Sequence, residues 1–303
     1  MNNAKYYTAA ISAFVIWGFF PMMLRSLLQY SSGEILYFRI LLSSLVLVGV
    51  VAGFKRNALK ENYNIFKTLP KDKRYAAIGL TFLGGALLNV NWLTFIYIVN
   101  NINITTASFS YLICPVLTAV LGFIVLKEKI TTLQWVAVAL CALSCVLMGL
   151  NSAPELGYSM LTALTYALYL ISQRKNQGFD RMIVLGIQIL FSFLLLSVAY
   201  PYLVTRIPVA SHFYIVLFIV AVFFTVFPLF LNLFALNKID SATIGILMYI
   251  NPLVGYAVAF VVYHEQFSTL QLIGYSIIAI ALVLFNYPNL KRMQTPIGTL
   301  KSN

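Results

Sequence analysis

One apolar stretch occurs twice in the sequence, as "YLICPVLTAVLGFIVLKEK" at residues 111–129 and as "MYINPLVGYAVAFVVYHEQ" at residues 248–266. Each copy has a proline near its start and a glutamate near its end, and Pro115 and Pro252 lie 137 positions apart. The two glutamates keep the same offset. The chain therefore repeats one proline-containing helical segment, which predicts two related halves.

The composition places these stretches in a membrane. Apolar residues make up 61% of the 303 positions, charged residues only 9%, and the mean hydropathy is +0.89. A soluble domain carries about a quarter charged residues and needs them on its surface. The sequence therefore predicts an integral membrane protein, with membrane lipids as its main contacts.

Runs of about 20 apolar residues predict membrane-spanning helices, and the chain contains ten such runs. This pattern indicates an all-α membrane protein. The sixth run is short and rich in tyrosine, and the eighth contains Pro228. The ten spans are expected at residues 7–28, 34–53, 75–98, 105–126, 132–150, 157–173, 182–203, 212–236, 241–262 and 269–286.

The basic residues predict the orientation of the spans. If the N-terminus is cytoplasmic, the cytoplasmic segments hold 17 of the 20 lysines and arginines, and the opposite loops keep only Arg206. Cytoplasmic loops are enriched in basic residues, so both termini are expected inside. The net charge of +12 then reflects topology and contact with anionic lipids, and no nucleic-acid partner is expected.

The ten spans divide into five in residues 1–150 and five in residues 151–303. At a slightly larger offset than that of the prolines, "WGFFPMMLR" (17–25) faces "YALYLISQR" (166–174). An odd number of spans forces the second half to enter the membrane upside down relative to the first. Inverted repeats are typical of secondary transporters, whose halves rock about a site near the bilayer midplane.

The stretch "NWLTFIYIVNNINITTASFSYLICPVLTAVLGFIVLKEKITTLQWVAVAL" (91–140) resembles the first EamA-type repeat of the drug/metabolite transporter superfamily. "FVIWGFFP" (14–21) and "EILYFR" (34–39) resemble its RarD branch, whereas "YHEQ" (263–266) departs from the shorter glycine–glutamate turn of the family. The resemblance implies a ten-helix transporter of the bacterial inner membrane with inverted five-helix repeats. It leaves the substrate open, because RarD-like proteins carry a chloramphenicol label and other relatives export amino acids and further metabolites.

We therefore expect a secondary transporter, with export as the favoured direction, that moves small metabolites such as amino acids, or amphipathic drugs, by alternating access. No cofactor is expected, and the protein is either a monomer or a homodimer. A membrane channel and an intramembrane enzyme are the alternatives. An enzyme would need a nucleophile–base pair or a metal-ligand cluster, and the sequence contains no HExxH, GxSxG or carboxylate dyad.

Arg39 is the sharpest candidate for a substrate contact. It lies five residues beyond Glu34, and so about 7 Å deeper in its span. A charge at that depth is costly and usually faces a cavity or a partner. Its planar guanidinium could anchor a carboxylate or another anionic group. The alternatives are that Arg39 reaches the outer interface or pairs with Glu34 or a carbonyl.

Other polar and aromatic side chains within the spans complete a predicted substrate cavity. Each of them has interhelical hydrogen bonding or packing as its competing role. The tryptophan at position 17 lies mid-span, away from the interfacial belts where tryptophan gathers, and the tyrosines would add hydroxyl groups. The predicted cavity residues are Trp17, Arg39, Asn91, Trp92, Tyr111, Pro115, Tyr166, Tyr249, Asn251 and Pro252.

The two prolines are included because a proline inside a helix frees the carbonyl one turn before it. In hydrocarbon a freed carbonyl needs a partner, so such a break faces protein or a water-filled cavity. Pro115 and Pro252 are therefore expected to border the cavity, with ordinary kinks as the alternative.

Three glutamates at span ends, Glu34, Glu128 and Glu265, are predicted to be gate or helix-end residues. The second and third are expected to close helix ends or to pair with a neighbouring cation; the cations considered are Lys127, Lys129 and His264. No acidic residue lies mid-span, so the sequence gives no support to a proton antiport that uses a buried carboxylate.

Overall fold

The computed structural model describes residues 4–176, 178–236, 238 and 247–294, and in this part of the chain all regular structure is helical. A π-helical turn spans Val222–Val226. The helices are α1 (Ala4–Gly18), α2 (Phe20–Arg25), α3 (Ser32–Phe54), α4 (Arg56–Thr68), α5 (Lys71–Asn101), α6 (Ile104–Leu126), α7 (Thr132–Asn151), α8 (Ala153–Lys175), α9 (Arg181–Val198), α10 (Tyr200–Leu203), α11 (Ser211–Ala221), α12 (Phe227–Leu236), α13 (Ile250–Val261) and α14 (Thr269–Gln294).

Eight helical segments among the described residues are long and apolar enough to cross a membrane. The predicted sixth span corresponds to α8, which has 23 residues but is less apolar than these eight. The predicted ninth span begins at 241–246, which lies outside the described residues, and continues as the 12-residue α13. The all-α, multi-pass membrane fold is confirmed, and the count of ten spans stays a prediction.

Side-chain caps set several helix starts. Ser31 and Glu34 form a reciprocal capping box at the start of α3, and Asn103 accepts a hydrogen bond from the Thr106 N–H at the start of α6. Such caps satisfy N–H groups that have no partner within the helix. Ser152 caps α8 in the same way. The sixth span therefore begins before its predicted start at residue 157.

The helix α4 was not expected, because its sequence has no long apolar run. Leu59, Tyr63 and Phe66 recur at helical spacing along one side of it, and Lys60 and Lys67 are exposed beside them. A basic amphipathic helix of this kind lies in the membrane interface rather than across it. The segment between the second and third predicted spans is thus an amphipathic helix and not a plain loop.

The helices α3 and α9 pack against each other in the directions that an inverted repeat predicts. At one end of this pair, Lys55 Nζ lies 3.0 Å from Asp180 Oδ2. At the other end, Thr205 just beyond α10 donates a hydrogen bond to Glu34. The two helices, which are the second span of each half, therefore run antiparallel.

The fourth and fifth spans of each half are paired in the same manner. Glu265, just beyond the end of α13, meets the N–H of Ile104 at the start of α6. Further along, a Cβ added at Gly255 would overlap the hydroxyl of Ser108, so the glycine allows these helices to approach closely. Hydrogen bonds between α7 and α14 also join the end of one to the start of the other.

The π-helical turn is explained by Thr225 and Pro228. The hydroxyl of Thr225 donates to the carbonyl five residues earlier, and the Phe227 N–H also bonds five residues back. Pro228 has no N–H for the carbonyl of Phe224. The indole N–H of Trp17 donates to that carbonyl instead, at 3.1 Å. A neighbouring helix thus satisfies the backbone group that the proline frees.

Candidate functional site

A small cavity of about 70 Å³ lies between the two halves of the protein. Pockets that hold drug-sized ligands have about 300–1,000 Å³, so the cavity is too small for such a ligand in this conformation. Helices of both halves contribute to its sixteen lining residues. Six of the predicted cavity residues line it, namely Trp17, Arg39, Trp92, Tyr111, Tyr166 and Asn251.

Arg39 is buried in the cavity wall, with only 3% of its surface exposed. Its Nε and Nη2 donate to the hydroxyl of Thr225 at 3.2 and 3.1 Å. The rings of Phe20 and Trp92 lie 4.6 and 4.7 Å from the guanidinium carbon. Glu34, considered as a partner from the sequence, instead accepts hydrogen bonds at the start of α3 and from the loop after α10.

Aromatic side chains form much of the remaining wall. Tyr111 contacts the ring of Phe95 on one side and that of Tyr166 on the other, and Tyr166 stacks on Tyr169. The hydroxyl of Tyr111 donates to Asn91 Oδ1 at 3.0 Å. Most of the wall surface is therefore apolar, and a few hydroxyl groups are held in fixed directions.

Four predicted cavity residues lie outside the lining. Asn91 is fully buried behind Tyr111, and its amide donates to a carbonyl of α8. Tyr249 packs in the apolar cluster between α6 and α14. Pro115 lies inside an uninterrupted α6, whereas Pro252 is the third residue of α13. Neither proline borders the cavity, and a hinge role for either stays a prediction.

The two repeated stretches end in the same backbone turn. Lys127 after α6 and His264 after α13 both adopt the left-handed conformation, with φ of 57° and 50°. The N–H of the next residue, Glu128 or Glu265, bonds to the carbonyl six residues earlier. A left-handed residue followed by a bond back to the helix also ends helices in the Schellman motif, but here the bond spans one residue more. It holds each glutamate at a fixed place beyond its helix.

Glu265 is the better enclosed of these two glutamates. Its Oε1 lies 3.0 Å from Arg25 Nη2, and the exposed fractions of the arginine and glutamate side chains are 19% and 14%. It also accepts hydrogen bonds from the N–H groups of Ile104 and Thr105 and from the Thr105 hydroxyl, at 2.7–3.0 Å. The bridge joins α2 of the first half to the end of α13 in the second.

Glu128 forms the matching bridge, to Arg174 at the end of α8, at 3.0 Å. The exposed fractions are 39% for the arginine and 46% for the glutamate. Of the two expected roles, Glu265 takes that of closing a helix end, at the start of α6. Among the described residues, neither glutamate pairs with Lys127, Lys129 or His264. The left-handed residue before each glutamate redirects the chain, so its carboxylate meets an arginine of the other half instead of an adjacent cation.

The two bridges lie at opposite ends of α6. Glu265 binds its first residues and Glu128 follows its last, and its 23 residues span about 34 Å. Tyr111, in the cavity wall, lies between them on the same helix. The molecule thus has a central cavity with an interhalf ion pair toward each end, and both ion pairs are formed in this conformation.

Some residues of this arrangement were not singled out from the sequence. Arg25 and Arg174 end the two aligned segments 17–25 and 166–174, so their equivalence was visible, but their partners were not. Thr225 carries no signal beyond being a polar residue three positions before a proline. Phe20 is one aromatic residue among many.

The profile of the EamA-like transporter family matches this chain twice, at residues 4–150 and 154–287. A transporter from Bacillus subtilis, named "Uncharacterized transporter YojE", is 30% identical over 291 residues, which cover 94% of each chain. "Protein RarD" of Escherichia coli is 26% identical over 288 residues, covering 91% of this chain and 92% of that one. A solved crystal structure aligns with a TM-score of 0.63 at 12% identity, over 97% of this chain and 100% of the other, which is a likeness of fold.

Proposed function

The chain belongs to the EamA-like transporter family, and from this premise we propose that it is a secondary transporter working by alternating access. Family membership and its apolar helices make it a multi-pass membrane transporter of the drug/metabolite type. The finer proposal is that it moves a small metabolite, such as an amino acid, or an amphipathic drug across the bacterial cytoplasmic membrane. Export is the favoured direction.

The observation that carries the mechanism is the pair of equivalent ion pairs on either side of one cavity. Arg25–Glu265 and Arg174–Glu128 each join the two halves. A carrier needs one closure on each side of its site, and the two must open in alternation. Two bridges of the same build, at opposite ends of α6, suit that requirement. With both formed, the structure corresponds to an occluded state.

Transport should proceed by breaking one bridge at a time. Separation of Arg25 from Glu265 would let the halves part on the outer side while Glu128 and Arg174 keep the inner side closed. Reversal of the motion would expose the cavity to the cytoplasm. The small size of the closed cavity supports a carrier over a channel, because a channel needs a continuous path.

Flux in proteoliposomes tests this mechanism. The purified protein would be reconstituted and offered a panel of radiolabelled amino acids and amphipathic drugs. A carrier gives saturable uptake that speeds up when the same unlabelled compound is loaded inside. Glu265→Gln and Glu128→Gln should each slow this exchange. Flux that rises linearly with concentration and ignores the internal compound would identify a channel instead.

The proposed orientation rests on the basic residues, 17 of them in segments assigned to the cytoplasm and one in the opposite loops. Single cysteines at Asn151 and His264 should react with an impermeant maleimide in intact cells. Both positions are exposed in the structure, as is Lys60. A cysteine at Lys60 should react only after permeabilisation, and its labelling in intact cells would reverse the assignment.

A further inference from the structure

The cavity holds one buried charge. Of the sixteen described residues that line it, Arg39 alone is ionisable to a cation or an anion at neutral pH. Its surface is 97% covered. Removing an ion from water costs several kcal/mol unless a partner of opposite charge and good geometry compensates it. The identity of that partner is therefore informative.

The described part of the chain supplies no counter-ion to Arg39. Glu61 in α4 and Asp72 at the start of α5 are exposed, and Asp240 lies outside the described residues. The other five carboxylates bind elsewhere, Glu34 to Thr205, Glu128 to Arg174, Glu155 to Thr106, Asp180 to Lys55 and Glu265 to Arg25.

The contacts of Arg39 leave one edge of the guanidinium without a hydrogen-bond partner among the described residues. The ring centres of Phe20 and Trp92 lie 4.6 and 4.7 Å from its guanidinium carbon. The Thr225 hydroxyl accepts hydrogen bonds from Nε and Nη2. Nη1 is buried and has no hydrogen-bond partner in the described structure. A guanidinium has five N–H donors in a fixed fork. Those of Nη1, and the second one of Nη2, remain for a ligand.

We infer that the transported substrate has a net negative charge and binds through a carboxylate to the Nη1 edge of Arg39. This inference rests on the transport function proposed above. A planar carboxylate matches the guanidinium fork, and such charged pairs are about twice as strong as neutral hydrogen bonds. The apolar part of the substrate then lies against the aromatic wall near Phe95 and Tyr111.

Charge balance separates this class from the zwitterionic amino acids. A monoanionic carboxylate neutralises Arg39, whereas a zwitterion brings an ammonium group that leaves one net positive charge in the cavity. Tyr166, Tyr169 and Asn251 offer only neutral groups to such an ammonium. Aliphatic and aromatic monocarboxylates are therefore favoured over amino acids and over neutral drugs.

Binding to the purified protein in detergent tests the substrate class apart from transport. The probes are three matched pairs, propionate with propionamide, benzoate with benzamide, and phenylacetate with phenylacetamide, together with phenylalanine. Each is titrated while the unfolding temperature is followed, since a ligand of the folded state raises it. We expect the acid of each pair to bind at least about tenfold more tightly than its amide, and phenylalanine to bind more weakly than phenylacetate.

Variants assign the preference to Arg39. Arg39→Gln should remove the difference between acid and amide, and Arg39→Lys should keep a reduced difference, because a point charge lacks the fork. Arg206→Gln is the matched control, since this arginine is exposed on the loop after α10 and contributes only its backbone N–H to a described contact. Its acid preference should equal that of the wild type.

The outcomes separate the two proposals. If the amides or phenylalanine bind as well as the acids, or if no acid binds, the inferred substrate class is wrong even when exchange of another compound is measured in proteoliposomes. If the acids bind with the expected preference and no exchange of them occurs, the transport proposal fails and the anion site remains. Should Arg39→Gln not fold, the wild-type comparison of acid with amide still decides.

Discussion

The Arg25–Glu265 and Arg174–Glu128 ion pairs, outer and cytoplasmic in the proposed orientation, share one backbone design and differ in how firmly they are held. Both glutamates follow a left-handed residue and bond back to the helix before them. Glu265 is mostly buried and accepts three further hydrogen bonds from the start of α6. Glu128 is nearly half exposed, and Arg174 is its side-chain partner among the described residues.

This difference has an energetic consequence. An exposed ion pair contributes about 0–1 kcal/mol, whereas hydrogen bonds to a charged group contribute about 1.5–3 kcal/mol each. The Arg25–Glu265 closure should therefore be the stronger of the two. We expect the carrier at rest to open more readily toward the cytoplasm, and the following predictions test that asymmetry.

The largest effect is expected for Glu265→Gln. The amide loses the charge that Arg25 and the α6 N–H groups bind, so the outer closure should weaken by about 2 kcal/mol, a shift of about 30-fold in the open population. A cysteine at Tyr111 in a background without native cysteines should then react faster with an impermeant reagent from outside.

Glu128→Gln is the matched control for that experiment. Loss of this exposed ion pair should weaken the inner closure by about 0.5 kcal/mol. Access to the same cysteine should therefore rise only from the cytoplasmic side. Equal effects of the two variants would contradict the asymmetry. A larger rise in cytoplasmic access for Glu128→Gln than in outside access for Glu265→Gln would place the stronger closure on the cytoplasmic side.

Exchanging the charges gives the next largest effect. Arg174→Glu with Glu128→Arg should restore most of the exchange activity, because an exposed ion pair depends mainly on opposite charge. Arg25→Glu with Glu265→Arg should not, since an arginine at 265 cannot accept from the N–H groups of Ile104 and Thr105. Proteoliposome exchange is the measurement, and recovery in the outer double variant would show that those hydrogen bonds are dispensable.

Substitution of the two paired prolines should have smaller and unequal effects on exchange. Pro115 lies in the interior of α6, so Pro115→Ala supplies an N–H to the Tyr111 carbonyl and raises local helix propensity by about 3 kcal/mol. Exchange should fall several-fold while the unfolding temperature is maintained. Pro252 lies in the first turn of α13, where a missing N–H has no cost, so Pro252→Ala should change little. Equal losses in both variants would restore the sequence-based expectation of equivalent hinges.

Salt should produce the smallest effect. At about 1 M ionic strength the Debye length is about 3 Å, so the exposed Arg174–Glu128 pair should be screened and the enclosed Arg25–Glu265 pair much less. Cysteine access from the cytoplasmic side should therefore rise less than about twofold between low and high salt, with no change from outside. An increase confined to the outer side would contradict the burial difference.

Much of the fold follows from local patterns in the sequence. Apolar runs, the repeated proline and glutamate, and the charge distribution all depend on residues near each other or at a constant offset. The helix α4 was missed because a 13-residue amphipathic segment has no long apolar run. The start of α8 was placed late because Ser152, its cap, precedes the apolar run.

The site was less predictable because its contacts join distant parts of the chain. Arg39 and Trp92 are predictable as cavity residues because a charge and an indole are unusual within spans. Thr225, 186 positions from the arginine it holds, is one threonine in an apolar run. Arg25 and Glu265 are 240 positions apart, and only the fold brings them together. Pro115 and Pro252 were expected at the cavity because helix breaks need partners, but packing placed other residues there.

The lone charge of Arg39 gives the membrane voltage a specific step on which to act. In the proposed mechanism a bound carboxylate makes the site electrically neutral, and the loaded carrier reorients without moving the charge of the arginine alone. The empty site carries one positive charge, and a potential of about 100 mV is worth about 2.3 kcal/mol for a unit charge that crosses the whole field. An inside-negative potential therefore favours the empty carrier with Arg39 open to the cytoplasm, so voltage sets the direction of the return step.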